Sequence, residues 1–212
     1  MLKFYFSRIF KDLRSRVILA VVIAAGILAI PLSSYLYVYN NGIPDVNTVL
    51  AAVNPQTNRI EIREIDGRIV QSVAPVTAWP SCGYISTNFG VPHWPYQATH
   101  TGLDIAHPTG KIGDPVRPFM AGKVIKAHKG TWGDGYGKHV IVKHGDGLTS
   151  LYGHMSGVTV KAGQKVDSRD IIGLMGSTGL STGSHVHFEV KVSGIPVNPK
   201  VFMSGQPKNC KS

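Results

Sequence analysis

Acidic residues are scarce in this sequence. Its 212 residues include 12 Asp and Glu against 22 Lys and Arg, which gives a formal net charge of +10. A basic balance often indicates nucleic-acid binding, but the chain has no motif of a nucleic-acid-binding fold, and we exclude that class. The charge therefore indicates either an anionic partner of another kind or a solvated surface.

Cysteine is nearly missing as well. Cys82 and Cys210 are the only two in the chain. Neither stands in the short paired spacing of a cysteine zinc motif, which excludes both as metal ligands. If the second half of the chain is exported, we expect these two residues to form a disulfide that joins its ends.

Charged residues are absent between Val17 and Pro44. As a helix, residues 17–39 would be about 35 Å long, which is enough to cross a bilayer, and three tyrosines near its end would lie at the far interface. The basic segment 1–16 should remain in the cytoplasm, because positive residues favour that side. We therefore predict a single-pass membrane protein, with 17–39 as a signal-anchor helix.

A cleaved signal peptide is the competing interpretation. The segment Ile30–Ser34 lacks the small-residue pattern of a good cleavage site, and the apolar run is long for a signal peptide. The uncleaved anchor is therefore favoured. Both alternatives export the rest of the chain, so we predict an extracytoplasmic location, in the periplasm or wall, in either case.

Segment 40–77 has the features of a linker. Arg59–Arg63 alternates in polarity, Asp66-Gly67 is a hairpin-turn signal, and a second alternating run ends at Val73. We predict a small β-hairpin that spaces the following domain from the membrane or packs on it. The remaining residues of this segment are too few for a second catalytic domain.

Residues 78–212 are expected to form one mostly β domain. No long amphipathic helical pattern occurs here, and short alternating or apolar runs are separated by Gly, Asp and Ser turns. The predicted strands are Lys123–Ala127, Lys138–His144, Leu148–Tyr152, Val158–Val160, Ile171–Met175 and Val186–Val192.

The last predicted strand carries the motif His185-Val-His187. Residues two apart in a strand share a face, so both imidazoles should project together, with Val186 and Phe188 toward the core. Two imidazoles on one face are a frequent feature of metal and catalytic sites. A third imidazole, His154, precedes them in Leu-Tyr-Gly-His-Met.

A second motif, His-Thr-Gly-Leu-Asp, places His100 and Asp104 four residues apart. This spacing gives one shared face in a strand or in a helix, and Gly102 disfavours a helix interior. A mixed set of imidazole and carboxylate donors suits zinc. A hydrolytic zinc site uses three protein ligands and an open position for water, which would leave two imidazoles to handle protons.

These motifs and their surroundings resemble the lysostaphin/LytM-type zinc peptidases, which cleave peptide links in bacterial peptidoglycan. The resemblance extends in order over residues 78–203, and its most specific block is Ile172–Glu189. The other blocks that carry it are Asn88–Gly90, His100–Ala106, Gly113–Arg117, Ala121–Val124, Gly135–Gly147 and Leu151–His154.

The resemblance implies a role for each residue of the site. It makes His100, Asp104 and His187 the zinc ligands, and it makes His154 and His185 the catalytic pair, without saying which is the base and which the acid. Tyr96 is a candidate for support of the oxyanion, while the segment 91–93 stands where relatives often carry an arginine. We expect the remaining histidines at the surface or in a groove: His93, His107, His128, His139 and His144.

The resemblance also implies a two-sheet antiparallel fold with zinc in a groove on one face. The expected function is a membrane-anchored zinc metalloendopeptidase that hydrolyses peptide cross-links of bacterial peptidoglycan. The alternative is a non-hydrolytic LytM-like regulator or scaffold that activates another cell-wall hydrolase. The complete set of five site residues favours the enzyme. The predicted anchor disfavours a third possibility, a secreted enzyme that lyses competing bacteria. A more specific role would be local cleavage of the wall for a trans-envelope machinery.

Overall fold

The computed structural model describes residues 51–210 apart from 55, 58, 64–66, 75, 77, 94–97 and 146. The predicted transmembrane segment 17–39 and Tyr96 lie outside the described residues. Across the described part of the chain, no helix has the length and hydropathy needed to span a bilayer.

The described residues form β-strands and two single-turn 3₁₀ helices, which confirms the prediction of a mostly β domain. The helices span Gly133–Gly135 and Pro199–Phe202. The strands are β1 (Ala51–Asn54), β2 (Arg59–Arg63), β3 (Ile69–Val73), β4 (Tyr84–Thr87), β5 (Pro92–His93), β6 (Ala98–Thr99), β7 (Leu103–Ala106), β8 (Pro115–Val116), β9 (Gly122–His128), β10 (Lys138–Lys143), β11 (Leu148–Met155), β12 (Gly157–Val158), β13 (Lys165–Val166), β14 (Gly173–Leu174), β15 (His185–Val192) and β16 (Ile195–Val197).

One large antiparallel sheet organises the domain. Its strand order is β13-β9-β10-β11-β15-β7-β4, and β16 pairs with the end of β15 on the same edge as β7. A smaller sheet has the order β12-β14-β8, and β5 pairs with β6. The expected antiparallel sheets are therefore present, and they are unequal in size.

The two faces of the large sheet follow from the alternation along β15. Val186, Phe188, Val190 and Val192 are fully buried in the hydrophobic core. The intervening residues, 185, 187, 189 and 191, project from the opposite face, because successive side chains in a strand point to opposite sides. We call that opposite side the outer face.

The inner face is covered by the smaller sheet and by loops. Val116, Val160 and Ile172 pack there with Phe119, and all four are buried. Burying a side chain of this size contributes roughly 1.5–3 kcal/mol. Since the core fills the inner side, the outer face is the one on which a site can open to solvent.

An N-terminal sheet of order β1-β2-β3 precedes the large sheet. Strands β2 and β3 are antiparallel neighbours, at the positions where the sequence indicated a hairpin, and β1 adds a third strand. Ile60 and Ile62 of β2 are fully buried and belong to the same core as the large sheet. As described by the structure, the sheet of β1, β2 and β3 therefore packs on the domain.

The two cysteines form a disulfide near the ends of the domain. Cys82 and Cys210 have Cα atoms 4.9 Å apart and close a loop across a sequence separation of 128. The amide of Gly83 also donates to the carbonyl of Lys208 at 2.9 Å. In the loop-entropy model, a link across so long a loop stabilises the fold by roughly 4–5 kcal/mol.

Candidate metal centre

The register of two neighbouring strands brings the two sequence motifs together. Strand β7 pairs antiparallel with β15, and Asp104 lies directly opposite His187. His100 precedes β7 by three residues and reaches the same place. Residues that are far apart in sequence therefore meet at one point on the outer face.

Three donor atoms converge at this point. His100 Nε2 lies 3.0 Å from His187 Nδ1 and 3.1 Å from Asp104 Oδ1, and His187 Nδ1 lies 2.9 Å from the same Oδ1. Tetrahedral zinc with ligand distances of about 2.0–2.1 Å holds neighbouring donors about 3.3 Å apart. The spacing and the His/Asp/His composition therefore fit zinc, and all three residues are buried.

The charges at this point also favour a cation. Burial alone would raise the pKa of Asp104, but hydrogen bonds with His100 and His187 hold it far below its ordinary value. Burial alone would lower the pKa of His187, but hydrogen bonds to Asp104 and Glu189 outweigh it and raise that pKa to about 9. Asp104 and Glu189 therefore favour a positive charge at this point, which a proton on His187 supplies in the metal-free chain and a bound metal ion would replace.

The residues within His-Thr-Gly-Leu-Asp have separate tasks. Leu103 is fully buried and anchors the motif in the core. A Cβ on Gly102 would collide with the carbonyl oxygen of Phe188, so a larger residue would push β7 away from β15. The hydroxyl of Thr101 donates to Glu189. The motif thus fixes the distance between the strands as well as the two donors.

Both histidine donors are oriented by a second hydrogen bond. His100 Nδ1 donates to the carbonyl of Asn88 at 2.8 Å, which directs Nε2 at Asp104 and His187. His187 Nε2 donates to Glu189 Oε1 at 3.0 Å, which directs Nδ1 at Asp104. Partners of this kind fix the tautomer and ring orientation of metal-binding histidines.

Glu189 is the functional residue to which the sequence analysis gave no role. Its side chain is fully buried on the outer face, next to His187. Oε1 also accepts a hydrogen bond from the hydroxyl of Tyr136 at 2.7 Å, and Oε2 lies 2.8 Å from Lys191 Nζ. Burial alone would raise the pKa of Glu189, but the hydrogen bond from His187 and its charge outweigh it and lower that pKa to about 2.

The remaining two histidines of the predicted set flank the donors. The rings of His154 and His185 have centroids 4.6 Å apart, and His185 Nε2 lies 3.7 Å from Asp104 Oδ1. His154 Nδ1 donates to the carbonyl of Thr178 at 2.8 Å, and His185 Nδ1 donates to that of Gly183 at 2.9 Å. Each ring is therefore anchored through Nδ1, and its Nε2 is the nitrogen without a backbone partner.

Both flanking imidazoles have lowered pKa values, which favour their neutral forms. Burial lowers the pKa of His154 to about 4, with the nearby charge of His185 acting in the same direction. Burial is also the main cause of the lowered pKa of His185. His154 has a backbone φ of +58°, in the left-handed region that residues other than glycine rarely adopt. Strain of this kind is concentrated at functional sites.

The other histidines differ in part from the expectation of surface or groove positions. His107 and His139 are buried, with relative exposures of 7% and 1%. His107 Nδ1 accepts hydrogen bonds from the amides of Thr109 and Lys111, which indicates a structural role. His139 stacks on His128, with ring centroids 5.0 Å apart. The expectation was wrong for His107 because its loop folds over the ring, and wrong for His139 because His128 covers it.

Comparisons with known proteins agree with this geometry. The sequence model of Peptidase family M23 matches residues 98–199, which include Asp104 and all four site histidines. The catalytic domain of the prophage-encoded M23 protein EnpA from Enterococcus faecalis superposes with a TM-score of 0.51 at 34% identity. The match covers 59% of this chain and 95% of that structure.

Two curated relatives are similar over the same region. The DD-carboxypeptidase/endopeptidase Mpg of Neisseria meningitidis is 39% identical over 139 residues, 63% of this chain and 30% of the relative. The murein hydrolase activator NlpD of Salmonella typhimurium is 33% identical over 165 residues, 77% of this chain and 41% of the relative. The chain thus spans less than half the length of either protein.

Proposed function

We propose that this chain, which belongs to peptidase family M23, is a zinc-dependent endopeptidase that hydrolyses peptide cross-links of bacterial peptidoglycan. One observation carries the proposal: three buried donors converge within 3.1 Å of one another, and two further imidazoles beside them are anchored through Nδ1. Three ligands plus two proton-handling groups is the arrangement that metal-assisted amide hydrolysis needs.

The chain's own residues have separable roles in this proposal. His100, Asp104 and His187 would hold the zinc ion, which when bound would polarise the scissile carbonyl as a Lewis acid and activate water. One of His154 and His185, both neutral at neutral pH, accepts the proton released by the attacking water. One of them then donates a proton to the leaving amine. Their backbone anchors at Thr178 and Gly183 keep both rings in position during this transfer.

The decisive experiment is digestion of purified sacculi. The full chain, loaded with zinc, should release soluble fragments whose mass spectra show cleavage within the peptide stems or bridges. A chelator should stop the release and added zinc should restore it. The masses also identify which cross-link is cut. A zinc-loaded chain that releases no fragment from several sacculus types would refute the enzyme.

The second candidate function is activation of another cell-wall hydrolase. It is favoured by the similarity to NlpD, whose name describes an activator, and it would make the chain a partner within envelope machinery. Addition of the chain to a separate wall hydrolase distinguishes the two. An activator accelerates that enzyme even after the chain has lost its metal donors, whereas the proposed endopeptidase acts alone.

The proposal also includes location. The basic segment 1–16 and the charge-free segment 17–39 support a membrane anchor with the catalytic domain outside the cytoplasm. The Cys82–Cys210 disulfide supports the same location, because disulfides persist in oxidising compartments. In spheroplasts, external protease should digest the domain, and the undigested protein should sediment with membranes at full length. Complete protection would refute export, and a soluble shortened form would show a cleaved signal peptide.

A further inference from the structure

Three lysines lie side by side on the outer face of the large sheet. Lys143 of β10 pairs with Lys123 of β9, and Lys123 pairs with Lys165 of β13. All three side chains are exposed. We call these three residues the lysine row. Neighbouring strands are about 4.8 Å apart, so the row extends roughly 10 Å across the sheet.

The lysine row shares its face with the metal donors. Lys143 pairs with Thr149 of β11, and Thr149 pairs with Lys191 of β15, so one line across the sheet joins the row to Lys191. Lys191 is four residues from His187 in a strand whose pairing with β11 is regular. Four residues in a strand span about 13 Å. Lys143 is two strands further across the sheet, so the row begins roughly 16 Å from His187 on the same face.

This arrangement has an electrostatic cost. Like charges directly opposite one another on neighbouring strands destabilise a sheet. Among the residues that the structure describes, none of the three lysines forms an ion pair. Lys191, at the other end of the same line, is instead neutralised by Glu189 at 2.8 Å. The row is thus a concentrated positive charge that an external anion would stabilise.

We propose that the lysine row binds carboxylate groups of the peptide chains of the substrate, a proposal that rests on the proposed function and extends its binding site. An extended peptide advances about 3.3 Å per residue, so a chain with one bond at the metal centre reaches Lys143, the nearest residue of the row, in about five residues. Ile141 and Thr149 of the outer face lie between the two positions and are partly exposed. Because the metal centre and the row lie on one face of one sheet, the substrate's own peptide is favoured as the ligand over a separate phosphate polymer.

The test compares two single charge reversals in the full chain. Lys143→Glu removes one ammonium group from the row and places a carboxylate opposite Lys123. Lys208→Glu, at an exposed position near the C-terminus, changes the net charge equally. Binding to sacculi is measured by co-sedimentation at low and high salt, with a chelator present so that no bond is cut.

At low salt, Lys143→Glu should weaken binding about tenfold and Lys208→Glu less than about twofold, with the difference shrinking at high salt. The melting temperature of Lys143→Glu should not fall, because opposite charges replace like charges at a cross-strand pair. Equal weakening by both variants would overturn the proposal, since it would show a response to net charge alone.

Chemically modified sacculi test the identity of the ligand. Amidation of their carboxylates should weaken binding of the natural chain at least as much as Lys143→Glu does, and it should weaken that variant's binding by a smaller factor. Undiminished binding to amidated sacculi would overturn the proposal. Displacement from amidated sacculi by soluble polyphosphate would assign the row to a phosphate polymer instead.

The binding assay is independent of hydrolysis, so two failures can be told apart. If Lys143→Glu weakens binding to sacculi but the zinc-loaded chain cuts nothing, the enzyme proposal fails and the proposal for the lysine row is retained. If the chain cuts sacculi but Lys143→Glu binds them normally, only the lysine row proposal fails.

Discussion

Two buried histidines of the site have pKa values that shift in opposite directions. Burial disfavours the charged form of both His154 and His187. At His187, hydrogen bonds to Asp104 and Glu189 outweigh burial and raise the pKa to about 9. At His154, which donates to the carbonyl of Thr178, burial prevails and lowers the pKa to about 4.

The difference shows how one residue type serves two purposes within a few ångströms. Carboxylate neighbours make the first position a place for a cation, whereas a backbone carbonyl only orients the ring at the second. The comparison therefore predicts that replacing His187 removes zinc, whereas replacing His154 removes activity and leaves zinc bound. It also predicts that changing the carboxylates around His187 alters its affinity for zinc.

The largest effect is expected from His187→Ala. The change removes one of three donors and leaves Asp104 and Glu189 without their shared partner. The variant should retain no stoichiometric zinc and should release no measurable fragments from sacculi. Metal analysis and digestion check both statements. His128→Ala, on the same sheet face but away from the donors, should keep both properties. An unchanged zinc content in His187→Ala would show that the donor assignment is wrong.

The flanking pair should separate metal binding from turnover. His154→Ala and His185→Ala should each keep about one zinc per chain and lose activity by a factor on the order of 100 to 10,000. Circular dichroism verifies that each variant is folded. Near-normal turnover would remove that residue from the catalytic pair. Loss of zinc from His185→Ala would mean that the two members of His-Val-His have exchanged roles.

A smaller effect is expected from Glu189→Gln. Glutamine keeps the shape and one acceptor oxygen but loses the charge that orients and polarises His187. Zinc affinity should fall by about 10- to 100-fold, as measured by competition with a chromogenic chelator. Tyr136→Phe removes only one of the hydrogen bonds to Glu189, so its affinity should lie between those of Glu189→Gln and the natural chain. An unchanged affinity in Glu189→Gln would show that the carboxylate has only a packing role.

Much of this site was readable from local pattern. The alternation of β15 correctly placed Val186 and Phe188 in the core, because a two-residue period depends on few neighbours. The same two-residue rule puts Glu189 on the face of His187, so a signal for its role was present in the sequence. Its meaning depended on the partners that the fold supplies, Thr101 and Tyr136, which are distant in sequence.

The short strands and their register could not be predicted from local sequence pattern. Strands such as β8, β13 and β14 have two residues each, too few to show a period. The pairing of β7 with β15 and the alignment of the lysine row depend on strand order in the large sheet. Strand order is set by packing of the whole core, and no local pattern specifies it.

The most direct test of the opposite shifts is the pH dependence of zinc binding. The folded pKa of His187 lies above its ordinary value of 6.5, so the metal-free chain gains stability from this group below pH 6.5 and loses it as the pH rises through about 9. Zinc must displace that proton from Nδ1. Apparent zinc affinity should therefore rise by about tenfold per pH unit up to about 9 and then level off. His154, with a pKa of about 4, stays neutral over this range and adds no slope.

In Glu189→Gln the plateau of zinc affinity should begin at a lower pH, because the glutamine no longer raises the pKa of His187. Zinc titrations between about pH 6.5 and 9.5 on both chains measure the slope, and an affinity that does not vary with pH would show that Asp104 and Glu189 do not hold a proton on His187.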